Sequence, residues 1–432
     1  MVETAGRIVP FNGVDSLMLG LDDPQRPQTI ELEVGTTVRL VDRRLRKAVA
    51  TAVGRHPMAR AHQRPAKPFD LNDSWEIDDG VVADPVETCV VGNRTEVGPI
   101  REAFSSGHVA LDAAPPFRLL VIHAPDGDRV LLSVNHAAFD GIGAIRLLQS
   151  ISRAYAGQDD PLPDVDPLAV RGLLDEDRPR AVPSAARETR TPRGPAARRP
   201  ARLAASAPGA PPGFGIVHLD LDVAEATPPA GATVNDVLVA ALHLTVEQWN
   251  RSQGAACDRV SVMMPVNRRP EAWRSEVLVN LVLAVQVVST PAERADPQGL
   301  LEAVTLQTRA VKVDGVGASS GMARTSRTPV LLRRLLPLAI DAVADRMADT
   351  AVLSNLGRVV DPPWFGGDGG GLWFSPPPRH PVILAIGAAT TDDRLGISLR
   401  WCRSALTPDA AREICDLFLA SIRSVRAPGS SD

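Results

Sequence analysis

Asn135-His136-Ala137-Ala138-Phe139-Asp140-Gly141 brings an imidazole, a carboxylate and a glycine close together. A neutral histidine is suited to taking up a proton near pH 7. The apolar run before it reads as a strand, which would hold its backbone rigid. The spacing leaves the role of Asp140 open: its carboxylate either faces the imidazole or points away and braces the turn. A histidine in such a setting can also simply cap or pack.

Other groups invite weaker readings. Thr233-Val234-Asn235-Asp236 opens a helical pattern with Thr233 as N-cap and Asp236 in the first turn, so Asn235 either meets a ligand or merely belongs to the cap. Ser354-Asn355-Leu356-Gly357 is not a G-x-S-x-G elbow, which disfavours a hydrolase triad on Ser354. The glycine-rich run from Gly366 to Gly371 lacks a following Gly-Lys-Ser/Thr and reads as a flexible hairpin loop rather than a phosphate cradle. Around it, Trp364, Phe365, Trp373 and Phe374 either pack or line an apolar pocket. His56 and His62 have no third ligand nearby. The scattered Cys89, Cys257, Cys402 and Cys415 form no C-x-x-C, so no metal site or disulfide framework is expected and the thiols read as reduced.

These groups need elements to hold them. Thr29-Ile30-Glu31-Leu32-Glu33-Val34 alternates like a half-buried strand, and after Asp42 the apolar Leu45, Ala48, Val49 and Val53 fall at helical spacing. Phe117 to His123 and Arg129 to Val134 flank Pro125-Asp126-Gly127-Asp128, which predicts a hairpin leading into the His136 turn. Ala144, Ile145, Leu147, Leu148 and Ile151 then continue as an amphipathic helix. Further on, strands are predicted over 260–265, 282–288, 350–353, 382–386 and 395–400, with a closing helix over 408–425. Residues 159–213, rich in Pro, Ala and Arg as in Arg187 to Pro195, lose all periodicity and read as a solvated crossover. The chain thus divides into 1–158, a linker over 159–213, and 214–432.

Composition bounds the function. With 432 residues, 44% hydrophobic and 23% charged, this is an ordinary globular chain with length for two or three domains. Lys plus Arg is 47 against 51 Asp plus Glu, a net charge of -4, and aromatics are only 4%, so neither an electrostatic footprint nor a stacking platform for nucleic acid exists. No signal-peptide pattern and no apolar run long enough for a transmembrane segment are visible, so a cytoplasmic location is expected.

Several segments in order carry a resemblance: Pro10-Phe11-Asn12-Gly13-Val14-Asp15-Ser16-Leu17-Met18-Leu19, Pro116-Phe117-Arg118-Leu119-Leu120, the run Asn135 to Gly141 read as H-H-x-x-x-D-G, Thr233 to Asp236, Met264-Pro265-Val266-Asn267-Arg268-Arg269-Pro270, and Ser354 to Gly357. Together the sequence resembles the chloramphenicol-acetyltransferase-like superfamily, which contains peptide-synthetase condensation domains, wax-ester/diacylglycerol acyltransferases and polyketide-associated acyltransferases. The resemblance implies an α/β fold of two such subdomains, mixed sheets with flanking helices, in a pseudo-dimeric V with the active site in the cleft between them.

It also implies that His136 deprotonates a hydroxyl or amine of a small molecule as it attacks an acyl thioester. Asp140 would brace the loop through a salt bridge to Arg269, with Arg268 as substitute, and a backbone N–H near Gly141 would hold the oxyanion. Asn135, Asn235, Ser354 and Asn355 are the candidates to line the site. Acyl-coenzyme A or a carrier-protein phosphopantetheine would be the cosubstrate, with no metal or redox cofactor, and a monomer suffices. The expected activity is a secondary-metabolite acyltransferase. The alternatives are a stand-alone condensation enzyme joining carrier-bound units, a lipid or wax-ester role, and a non-catalytic docking or scaffold protein. Two positions depart from the pattern: Asn135 stands where the first motif histidine is expected, and Val279-Asn280-Leu281 where many members carry Gly-Asn.

Overall fold

The computed structural model describes residues 6–67, 69–80, 82–173, 199–206, 211–314, 348–378 and 381–426. Its strands are β1 (Arg7–Pro10), β2 (Thr29–Thr36), β3 (Ala61–Gln63), β4 (Ser74–Ile77), β5 (Val86–Val90), β6 (Phe117–Ala124), β7 (Gly127–Asn135), β8 (Phe214–Asp222), β9 (Val260–Asn267), β10 (Val282–Ser289), β11 (Ala351–Arg358), β12 (Gly369–Ser375), β13 (Leu384–Thr391) and β14 (Arg394–Cys402). They form a five-stranded sheet in the order β12-β2-β7-β6-β5, a six-stranded sheet in the order β10-β9-β11-β13-β14-β8, and a small sheet β1-β4-β3. Both large sheets are mixed: β5 runs parallel to β6, and β11 parallel to β9 and β13. Helices α1 (Gly13–Leu21), α2 (Asp42–Arg55), α3 (Val97–Ser105) and α4 (Gly141–Ala156) belong to the first half, and Val234–Ser252, Pro297–Asp314 and Pro408–Arg426 are the long helices of the second. This is the expected two-subdomain α/β architecture. Among the described residues no helix is long and apolar enough to cross a membrane.

The predicted hairpin is β6-β7, and its near-continuous apolar runs are buried on both faces. Two expectations change. Along β2 every residue is buried, not only alternate ones. Ile30, Leu32 and Val34 enter the first apolar core, while Glu31 and Glu33 are also covered, beside the second sheet's Arg400 and His218. The expected flexible loop at 366–371 is half strand, because Gly369 to Gly371 open β12, which pairs with β2 through Leu372↔Val34 and Phe374↔Leu32. A strand from the second half of the chain therefore forms the edge of the first sheet, across a boundary drawn at residue 213.

Glycines make this crossing possible. A Cβ on Gly387 of β13 would sit 1.9 Å from the Phe374 carbonyl oxygen, and one on Gly396 of β14 2.0 Å from that of Leu372. The backbone of β12 thus lies directly against the second sheet.

Several described residues of the expected crossover are buried. Asp160 is buried and accepts from the Ser150 hydroxyl, Leu168 and Val170 join the first core, and Leu203 joins the second. The Arg187 to Pro195 stretch lies outside the described residues. At the N-terminal end, Asn12 caps α1, while the buried Asp15 accepts from the Trp75 indole and pairs with Arg171, which anchors the segment expected from the family pattern.

Candidate active site

β7 ends at Asn135, and the chain turns through His136 to Phe139 before Asp140 caps α4. The His136 N–H donates to Gln28 O at 2.9 Å, and its Nδ1 lies 3.0 Å from Phe139 O. A carbonyl oxygen can only accept, so Nδ1 carries the proton and, in the neutral ring, the acceptor lone pair sits on Nε2. The side chain is half-buried.

Asn135 is fully buried. Its Nδ2 donates to Asp22 Oδ2 and Val109 O at 2.8 Å each, and its Oδ1 accepts from Ala137 N. It holds the turn from behind. With two N–H donors and an oxygen acceptor the amide satisfies all three partners at once, whereas a neutral imidazole has one donor and one acceptor.

Asp140, 0% exposed, is saturated by donors. Gly143 N, Leu281 N and the Arg269 guanidinium bond to it, the last as a bidentate pair with Nη1–Oδ2 2.7 Å and Nη2–Oδ1 2.9 Å. Of the two arrangements left open by the sequence, the structure adopts the bracing one, and the pairing arginine is Arg269. Gly141 follows at the start of α4, where a Cβ would meet Leu356 Cδ2 at 2.8 Å and Phe374 Cε2 at 2.9 Å, so any larger residue would have to displace these side chains.

The segment 277–281, marked in the sequence only by the departure at Val279-Asn280-Leu281, is part of the site, a role the sequence did not suggest. Val277, Leu278, Val279 and Leu281 come from the second half but pack in the first half's core. Their backbone closes the brace: Val277 O and Val279 O accept from Arg269, at 3.0 and 2.6 Å. Asn280 Nδ2 donates to His136 O at 2.7 Å. The departure at Val279-Asn280-Leu281 therefore has a physical account as an apolar plug that carries hydrogen-bonding groups to both motif residues. Its run of buried apolar residues around one amide was the available signal.

The remaining candidates are placed by the second sheet. Asn235, half-buried in the first turn of Val234–Ser252, points its Nδ2 at Met264 Sδ of β9, and Asp236 completes the cap with Thr233 while accepting from Thr308 Oγ1 at 2.6 Å. Ser354 and Asn355 lie on β11, where Asn355 Oδ1 accepts from Gly357 N. Leu356, next to Asn355 on β11, reaches Gly141.

Between the large sheets lies a buried polar joint. Arg400 of β14 donates to Thr29 O at 2.7 Å and Ser105 O at 2.8 Å, stacks on Phe214, and has Glu31 Oε1 3.9 Å away. Arg101 pairs with Glu33, and His218 stacks on Trp373. Burial pushes Glu31 up, Arg400 down to about 10 and His218 down to about 3. No group of three or more potential metal-ligating side chains gathers among the described residues. Cys89, Cys257, Cys402 and Cys415 are free.

No protein-family model matches the sequence. The chain is 35% identical over 382 residues to two uncharacterized proteins of Mycobacterium tuberculosis, MT2362 and Rv2305, covering 85% of this chain and 88% of theirs. Its fold is similar to the first condensation domain of the CDA synthetase, with a TM-score of 0.70 at 14% identity, covering 99% of this chain and 98% of that one. It is similar to the starter condensation domain of rhizomide synthetase, solved with C8-CoA and Leu-SNAC, with a TM-score of 0.65 at 14% identity, covering 98% and 96%. The epimerization domain from the third module of tyrocidine synthetase B matches with a TM-score of 0.66 at 16% identity, covering 97% and 96%. At such identities the likeness is one of fold.

Proposed function

The chain belongs to the same family as the mycobacterial proteins MT2362 and Rv2305 and carries the condensation-domain fold, and from that premise we propose that it is an acyltransferase with His136 as its general base. The observation that carries the proposal is the division of labour in the motif loop. Asp140 is occupied by Gly143, Leu281 and Arg269, while the His136 ring is held through Nδ1 with its basic lone pair on Nε2. An imidazole oriented in this way suits direct proton transfer.

In the step proposed, Nε2 takes the proton from an acceptor hydroxyl or amine as its oxygen or nitrogen bonds to the thioester carbonyl carbon. The C–S bond then breaks, and the imidazolium returns the proton to the leaving thiolate. The backbone N–H at Gly141, ahead of the Gly143 amide that bonds to Asp140, is the proposed donor to the developing oxyanion. The step balances without a metal or redox group. The donor is coenzyme A or a phosphopantetheine thioester, a choice supported by the C8-CoA in the rhizomide-synthetase domain, and the acceptor is a small secondary metabolite.

Thiol release from a panel of acyl-coenzyme A and acyl-carrier donors, with and without pooled alcohols and amines, tests the reading. Release dependent on His136 supports it, and no release from any donor of either kind refutes it.

A further inference from the structure

We infer that Asn280 is a positioning residue for His136, acting on the base from the other half of the molecule. The rate consequence rests on the general-base role proposed above; the structural consequence does not.

Asn280 is 1% exposed, and its Nδ2 donates to His136 O at 2.7 Å. With His136 N bonded to Gln28 O, the main chain of the histidine is held on both sides: by the first half at its nitrogen and by the second at its oxygen. The ring contact from Nδ1 to Phe139 O lies within this turn and depends on that main chain staying in place. Meanwhile Asn280 Oδ1 is buried with no hydrogen-bond partner among the described residues. A buried acceptor without a donor is destabilising, and an apolar residue of the same volume would avoid it. The flanking Val279 and Leu281 are apolar, so packing alone would be served by a third apolar side chain. The position instead holds an amide that donates to the main-chain oxygen of the proposed base.

Two substitutions separate positioning from packing. Asn280→Leu removes the donor at similar volume and should lower kcat about 10–100-fold with the donor KM unchanged, as expected for a displaced catalytic group. In ¹⁵N-histidine spectra it should convert the Nδ1–H tautomer of His136 into a mixture. Asn280→Asp is the sharper variant, because a protonated carboxyl can still donate to His136 O and an ionised one cannot. The ratio of its rate to wild type at the same pH should therefore rise as pH falls through the pKa of the introduced carboxyl, while the ratio for Asn280→Leu stays flat. The titration of His136 is followed in each protein by its ¹⁵N shifts and divided out, because an introduced carboxylate also raises the pKa of a neighbouring imidazole, and the nearby charges of Asp140 and Arg269 are common to both proteins. Wild-type kcat with an unchanged tautomer in Asn280→Leu overturns the inference, even if melting drops, and so does a pH-independent ratio for Asn280→Asp. If wild type transfers no acyl group from any donor, the transferase reading fails, yet the tautomer signature still decides whether Asn280 positions the ring.

Discussion

With Gly143, Leu281 and both terminal nitrogens of Arg269 donating to it, the Asp140 carboxylate has no remaining capacity for His136. That separates the two residues experimentally. His136→Ala should cut turnover by about 10²–10⁴-fold with melting unchanged, and near-normal rates would sink the assignment. Arg269→Ala leaves a buried carboxylate without its cation, so it should lower stability by about 3–5 kcal/mol together with activity. A calorimetric melt matching wild type would show the pair to be dispensable for the fold. The pairing of Asp140 with Arg269 was legible only through the family pattern, since spacing allowed either orientation. Asn280 was not legible, because an amide among apolar residues carries no sign of which carbonyl it will meet across a sequence separation of 144.

Strands and helices were read from periodicity, and the misreadings have physical causes. Along β2 the alternation of Glu31 and Glu33 with Ile30, Leu32 and Val34 is the pattern of a sheet with one wet face. Here the second face meets Arg400, Arg101 and His218 instead of solvent. At β12 the glycines that mark a loop in sequence are those that let backbones pass: Gly370 lies so near Gly35 that a Cβ on it would meet the Gly35 carbonyl carbon at 3.0 Å. Gly387→Ala should therefore cost about 3 kcal/mol through overpacking, read as a loss in the denaturation midpoint. Gly54→Ala, on the exposed end of α2 with nothing within 4 Å of the added Cβ, should instead add about 0.5–1 kcal/mol. Equal effects at the two sites would contradict the packing described.

At the scale of the whole molecule, buried histidines set the response to acid. Burial holds His218 and His243 down to about 3 and His56 down to about 4, the last two with help from Arg294 and Arg146 respectively. All three are lower folded than unfolded, so the unfolded chain binds more protons below about pH 6.5 and stability falls as pH drops toward 4, by up to about 1.4 kcal/mol per group per pH unit. A melting temperature that stays flat from pH 7 to pH 5 would exclude this. The two-subdomain plan was foreseen from the resemblance, but the contribution of β12 to the first sheet was not, and it has a consequence during synthesis. β2 and β7 leave the ribosome more than two hundred residues before β12, a delay of roughly ten to fifty seconds at about 5–20 residues per second. Throughout that interval the nascent first half carries β2 as an open, strand-hungry edge. Premature termination anywhere before Gly369 would release a polypeptide whose most adhesive surface has lost its own cover.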